Sequence, residues 1–492
     1  MQNLPDLDQL SHAQKDELIR TLWPLQQQVR ELLAQMAVMQ ERIQQLEGQL
    51  ALNSRNSSRP PSSDGLRKPA PKSLRPSGKN PNGGQPGHSG STLRQSAHVD
   101  ETIVHRSAPH CSVCHEALHE HTIAETRQVF ELPPLAMRTV AHQQMRSTCQ
   151  CGAIHLGAWP EGVNAPAQYG ASVKAMAVHL NQYHLVPLAR TAALMQDLYG
   201  ARLSQASIQS FAQEAALALR PTVAAIAQGV QGAAVVHADE SGIRIQGKLH
   251  WLHCAVTARL TWLAPHARGT LAFEALGLLE GVRGVLVHDG LISYKGLDCT
   301  HSLCNAHHIR ELVYVHEQDK LWDNWAQEMI DLLLQALAEV DGAGGALAQP
   351  RQDWYETQWS TLLDRGEALN PLKQRTGTSQ DAGLPSRGRL KQSKATNLLG
   401  RLRDYRQEVW RFMREEAVPF TNNLAEQALR MAKVKVKQKI SGCFRTGHGA
   451  DTFFTIHSYL ATMHKQKHNL LACLVSVFER QTIEPCLAGC AE

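Results

Sequence analysis

Two short runs decide how this chain folds: Ala233-Ala-Val-Val-His-Ala-Asp-Glu and Gly284-Val-Leu-Val-His-Asp-Gly. Both are apolar, β-branched and bounded by glycine, so each reads as a buried strand that closes on an aspartate, Asp239 and Asp289. Between them lie two further strand patterns, Leu249-His-Trp-Leu-His-Cys-Ala-Val and Leu260-Thr-Trp-Leu-Ala, and a helix near 271–279. A meander of three strands, a helix and a fourth strand beside the first is the order of a ribonuclease-H-like sheet. That order sets Asp239 and Asp289 side by side.

A third acid, Glu426, follows in Thr421-Asn-Asn-Leu-Ala-Glu-Gln-Ala-Leu-Arg, which reads as a helix. Aspartate, aspartate and a late glutamate on these element types fit a two-metal phosphoryl-transfer site. Two divalent ions about 4 Å apart can activate a nucleophile and stabilise a leaving oxygen. Mg2+ (or Mn2+) prefers carboxylate oxygens, with Asp239 shared between the two ions, Asp289 completing one shell and Glu426 the other. Each acid has a plainer reading. Asp289 before Gly290 suits a turn, and Glu426 alone would be a solvated helix acid. Glu240 adjoins Asp239, but strand alternation sends the two to opposite faces. The triple in this order is more specific than its members. Beyond it, Arg430, Lys433, Lys435, Lys437 and Lys439 read as a row of cations that would hold DNA phosphates, or as a solvated basic face. Asn422 and Asn423 suit a helix cap or a substrate contact. Cys304-Asn-Ala-His307 supplies two metal-ligand types but lacks two more, so a hydrogen-bonding role beside the acids is an equal alternative.

The flanks carry their own signals. With 492 residues the chain exceeds one core. Its net charge of +5 is uneven: Arg55, Arg59, Arg67, Lys68, Lys72, Arg75, Lys79 and Arg94 face the single acid Asp64 in a Pro/Ser/Gly-rich stretch that reads as a flexible basic arm. Ahead of it, Leu18, Leu22, Leu25, Val29, Leu32, Met36, Met39, Ile43, Leu46 and Leu50 step by four and three as a coiled-coil seam. Pro24 there marks the first turn of the continuous helix. After it, Cys111-Ser-Val-Cys114 and Cys149-Gln-Cys151 suggest two knuckles on one structural Zn2+, with His110, His115 and His155 as alternative ligands. Gln128-Val-Phe-Glu-Leu and Arg138-Thr-Val-Ala-His between them look like strands. The 11 cysteines, without a signal peptide, favour a reducing compartment in which paired cysteines serve metal. No run reaches the roughly 18 apolar residues of a membrane span.

The chain thus reads as an α+β multidomain protein. The expected parts are a coiled coil (1–52), a basic linker (53–98), a zinc-binding β module (99–156) and a helical DNA-binding or connecting region (157–230), punctuated by Pro187 and Pro221. A ribonuclease-H-like core (231–440) follows, with a tryptophan-bearing helical insertion at 305–415 (Trp322, Trp325, Trp354, Trp359, Trp410), and then a helical C-terminal part (441–492).

Over essentially its whole length the sequence also resembles the transposase of bacterial insertion-sequence 66 family elements. The matching phrases are Asn56-Ser-Ser-Arg-Pro-Pro-Ser-Ser-Asp, Gly83-Gly-Gln-Pro-Gly-His, Tyr169-Gly, Leu180-Asn-Gln-Tyr-His, Pro187-Leu-Ala-Arg-Thr, Asp239-Glu-Ser, His288-Asp-Gly, Cys304-Asn-Ala-His, Thr421-Asn-Asn-Leu-Ala-Glu and Phe444-Arg-Thr-Gly-His-Gly-Ala. The resemblance implies a leucine-zipper-like segment, a zinc module, a DDE catalytic domain with a helical insertion and a short C-terminal domain, the triad falling on Asp239, Asp289 and Glu426. The tight Cys149–Cys151 spacing and the lack of an aromatic after Cys304 depart from the family's usual pattern. It further implies a cytoplasmic, nucleoid-associated enzyme that binds double-stranded DNA at terminal inverted repeats and at a target. Such an enzyme would pair through its coiled coil and in many elements works beside small accessory proteins. Two other classes compete: a catalytically inactive DNA-binding regulator, and a ribonuclease-H-like nuclease that cuts without strand transfer.

Overall fold

The computed structural model describes residues 11–53, 56, 93–105, 108–117, 123–130, 132, 135–266, 277, 279–318, 323–373, 390–437 and 443–487. Two compact units emerge, one within 1–69, 169–187 and 206–492, the other within 70–168 and 188–205.

In the larger unit, β3 (Val235–Ile245), β4 (Lys248–Val256), β5 (Thr261–His266), β6 (Val285–His288) and β7 (Thr300–Leu303) form one mixed sheet in the order β5-β4-β3-β6-β7. Strands β3 to β5 are the antiparallel meander, and β6 pairs with β3 in parallel, as the sequence pattern requires. The β3–β4 turn is the two residues Gln246 and Gly247, both at positive φ. That geometry follows the natural twist of a hairpin. Strand β3 runs longer than expected, so Asp239 lies in mid-strand rather than at its end. The fifth strand, β7, has too little apolar alternation to be read in advance. The expected helix near 271–279 falls mostly outside the described residues.

Alternation along β3 divides the core in two. Val236 and Ala238 face one layer with Leu286, Ala255 and the buried Ile226 and Val230. The last two belong to a long helix, Gln205–Gln231, whose Pro221 lies inside it rather than at an end. Its buried stripe, including Leu219, Thr222 and Ile226, holds the helix through the proline's missing donor. Ile243 and Ile245 face the opposite layer with Cys254 and Val256. Gly284 enters β6 where a Cβ would stand 2.3 Å from the Ala234 carbonyl oxygen, so glycine alone fits there.

The opposite layer comprises three helices: α10 (Asn423–Ala428), α11 (Arg430–Lys437) and α12 (Gly447–Lys465). Preceding elements take the labels α1 (His12–Leu50), α2 (Ala171–Val178), α3 (Leu188–Tyr199), α4 (the Gln205–Gln231 helix), α5 (Asn305–Gln318), α6 (Trp325–Ala343), α7 (Gln349–Leu369), α8 (Lys394–Asp404) and α9 (Arg406–Val409). Helix α13 (Leu470–Phe478) packs on α2. Ser458 and Thr462 of α12 accept hydrogen bonds from the Leu263 and Thr261 amides of β5, each at 3.0 Å. At the other edge, Arg411 Nε donates to the His301 carbonyl of β7 at 2.7 Å. Both sheet edges are therefore closed by side chains, which removes the template that an open edge offers to other strands.

Helices α5 to α9 form the insertion. Trp325, Trp359 and Trp410 are fully buried in it, as the sequence suggested. Trp354 is instead partly exposed beneath the Arg351 guanidinium, 4.1 Å from the ring centre, and Trp322 lies outside the described residues. An aromatic run, Trp359–Trp410–Phe412–Phe420, carries this core to within two residues of Asn422.

Helix α1 spans 39 residues with its apolar seam exposed, and Pro24 sits in its interior rather than its first turn. Its end meets α5 where Tyr314 Oη donates to the Gly48 carbonyl and Asn56 Nδ2 donates to Glu317 at 2.8 Å. In the smaller unit the described strands are β1 (Arg146–Thr148) and β2 (Ile154–Leu156), an antiparallel hairpin. The runs at 128–132 and 138–142 form no strand among the described residues. Val129, Phe130 and Val140 stay exposed there, so the burial that would reward pairing is missing. Among the described residues Cys111, Cys114, Cys149, Cys151, Cys254, Cys299, Cys304, Cys443 and Cys473 are free thiols. No helix of the described residues is long and apolar enough to cross a membrane.

Replacing Ser458 by alanine would strand the buried Leu263 amide, and a buried amide left without a partner costs about 1–3 kcal/mol. Denaturant unfolding of Ser458→Ala should show that loss with the slope unchanged.

Candidate active site

Asp239 points into the layer shared by Cys254, its register partner on β4, and by α10. Glu240 leaves on the other face and meets His253, its own partner across the ladder, at 3.8 Å. Alternation thus selects Asp239 from the pair. Asp289 follows β6 directly, beside the β3 strand that carries Asp239. Glu426 enters from α10, with its Oε1 3.9 Å from His307 Nε2.

Backbone amides fix both aspartates. Asp239 Oδ1 accepts from the Glu240 amide at 2.7 Å, and Asp289 Oδ1 accepts from the Leu291 amide at 3.0 Å. Burial pushes the Asp239 carboxyl up to about 7, and the negative charges of Asp289 and Glu426 push the same way, against Lys433 and the Glu240 amide. Asp239 therefore lies within reach of the fields of both other acids. Among the described residues no three side chains of His, Cys, Asp or Glu form a group ready to hold one metal ion. The acids are neighbours in charge, and their oxygen donors suit a hard divalent cation that would relieve their repulsion.

The cations divide. Helical rotation places Arg430 and Lys433 on one side of α11 by their spacing, and Lys435 on the other. Lys433 faces the acids, its charge favouring ionised Asp239. Lys435 packs 3.9 Å over the Phe453 ring, where burial pushes its ammonium down to about 8. It rests against this aromatic ring on a different side of the helix from Lys433; alternating residues would share a side on a strand and do not on a helix. Lys439 lies outside the described residues, as does most of the basic arm.

Cys304 serves hydrogen bonding. Its buried Sγ accepts from the Asn422 amide at 3.2 Å, and burial pushes its thiol up to about 11. Asn422 holds the N-cap position of α10 yet makes no side-chain cap. Sequence reasoning gave no sign of the partners it takes instead. Nor did it single out His288, whose Nδ1 accepts from the Gly290 amide and whose Nε2 meets His301 Nδ1 at 3.1 Å.

The zinc candidates stand as two separate turns. Cys111 Sγ accepts from the Val113 amide at 3.4 Å, and amides near Cys114 and Cys151 pull the Cys111 and Cys149 thiols down. Cys149 and Cys151 occupy the β1–β2 turn. These four cysteines are not gathered into one ligand set among the described residues.

Residues 166–452 match the Transposase IS66 family, so the chain belongs to that family of transposases. Residues 2–94 match a family of unknown function, DUF6444. No curated protein matches the chain.

The buried groups set an acid limit on stability. His288 and His308 are pushed by burial down to about 3 and His457 to about 4. A depressed histidine stabilises the fold above its unfolded value of 6.5, and that stability is lost as pH falls toward its folded value. Asp239 has the opposite sign, costing stability as pH rises from 3.8 to about 7. Three histidines outweigh one aspartate, so the unfolding midpoint without metal should climb from pH 4 to about 6.5 and then stop climbing. Asp239→Asn should raise it at pH 7.5, and added Mg2+ should raise the wild type more than this variant. Thermal unfolding across pH with and without Mg2+ measures all three.

Proposed function

We propose that the chain is a DDE transposase with a ribonuclease-H-like core, in which Asp239, Asp289 and Glu426 hold two Mg2+ or Mn2+ ions and cut and join DNA. The carrying observation, beside family membership, is that the buried Asp239 feels the negative charges of both Asp289 and Glu426, an arrangement that favours a cation. The bound ions would supply an activated oxygen nucleophile and charge stabilisation for the leaving oxygen. The protein's part is placement. Each aspartate has one oxygen anchored to backbone, which leaves the other to ligate. Lys433 keeps Asp239 closer to its ionised, ligating form.

In the first reaction a water oxygen bonds to phosphorus as the bond to the 3′ oxygen breaks, and that oxygen takes a proton to become the terminal hydroxyl. In the second, this hydroxyl attacks a phosphorus of target DNA and displaces a target 3′ oxygen, conserving the number of phosphodiesters. Arg430 and Lys433 would hold backbone phosphates near this point. The exposed α1 seam would pair two copies so that two DNA ends are held together, and accessory proteins of the element could join them. The two cysteine turns offer thiolates to one Zn2+ if they close on each other.

Nicking of a labelled duplex bearing the element's terminal repeat tests the catalytic reading. It should require Mg2+, stop with chelator, and fall at least about a thousandfold in Asp289→Ala, as expected where charge stabilisation is removed. Tight DNA binding by wild type without nicking, even with the element's accessory proteins, would leave a binding regulator. Nicking without strand transfer would leave a nuclease. Metal analysis of the purified chain should find one zinc, lost in Cys111→Ser.

A further inference from the structure

We infer that Asn422 is a positioning residue that sets the Glu426 helix against the Asp239 strand. This rests on the catalytic reading above. Asn422 is 1% exposed, and each of its polar groups is engaged. Its Nδ2 donates to the Ala238 carbonyl at 2.8 Å, one residue before Asp239. Its Oδ1 must then be the acceptor facing His237 Nδ1 at 2.9 Å, which assigns the imidazole proton to Nδ1. Its amide donates to Cys304 Sγ at 3.2 Å, and its carbonyl accepts from the amide of Glu426 itself at 3.3 Å.

One residue thereby ties β3, the segment after β7 and the first turn of α10. An asparagine at this helix position ordinarily turns its side-chain oxygen onto the N2 or N3 amide. Here that cap is given up and the side chain crosses to the strand. The choice of residue follows from the contacts. Aspartate lacks the donor and would set a carboxylate against the Ala238 carbonyl. Serine offers one short hydroxyl for two partners, and glutamine is a methylene too long for a site without spare space. The acid helix is only six residues long, too short to hold itself, so its placement must come from tertiary bonds of this kind.

The test uses the full chain and four variants: Asn422→Ala, Asn422→Asp, Cys304→Ser and Glu426→Gln. Hydrogen exchange of residues 423–428 and the Mn2+ dependence of nicking are measured together, with circular dichroism to confirm folding. Partners behind metal ligands are typically worth 10- to 100-fold in metal affinity or activity. Asn422→Ala should therefore raise the half-saturating Mn2+ concentration about tenfold or more, with a smaller loss of rate at saturation, and should speed exchange across 423–428. Glu426→Gln removes the carboxylate but keeps the clamp, so it should raise the half-saturating Mn2+ concentration while exchange stays at the wild-type rate. Cys304→Ser retains an acceptor and should fall between wild type and Asn422→Ala. If Asn422→Ala does not fold, Asn422→Asp carries the same expectation. A folded Asn422 variant with wild-type exchange and wild-type Mn2+ dependence overturns the inference. Absence of nicking by wild type would instead sink the catalytic reading, and the exchange data would still decide whether Asn422 holds the helix.

Discussion

Val235, Val236 and His237 of β3 pair in parallel with Val285, Leu286 and Val287 of β6, and this register places two distant aspartates on adjacent strands. Parallel pairing cannot be closed by a tight turn, so the chain runs out through the meander to one edge and crosses back to the other side of β3 before β6 can form. Gly284 admits the return only because it lacks a Cβ. The position of Asp289 therefore depends on a backbone contact several residues before it.

Once the strands are paired, like charges gather in a site that is partly shut from water, and the protein meets that cost in part with Lys433. The insertion contributes from the other side: its aromatic run ends at Phe420, whose carbonyl accepts the Asn305 amide, just before the segment that carries Glu426. A large helical subdomain thus terminates on the residues next to the third acid.

Much of the sheet was legible because β-branched runs bounded by glycine have few other homes. The meander, the parallel return and the choice of Asp239 over Glu240 all follow from period-two alternation. Strand β7 was not legible, since Thr300-His-Ser-Leu shows no apolar alternation and gains its order from Arg411 and His288. The lysines after Arg430 alternate with valines, but this stretch is helical, with Ala432 and Val436, four apart, filling the layer beneath, so Lys433 and Lys435 do not share one side as a row would. The clamp at Asn422 had no sequence signal, because its partners at 237, 238 and 304 are brought to it only by the finished fold. Prolines 24 and 221 were read as boundaries, yet each lies inside a long helix whose other bonds tolerate the missing donor.

The two-faced character of β3 has a consequence for how this gene can change. A single codon lost between Val235 and Asp239 would rotate every later side chain of the strand to the other layer. The change would be hard to see by inspection, because Glu240 would swing into the vacated place and an acid would still sit there. That acid would be a methylene longer, parted from His253, and Asp239 would face the apolar layer under α4. A decayed copy of such an element could therefore keep all its acids and still be dead by phase alone.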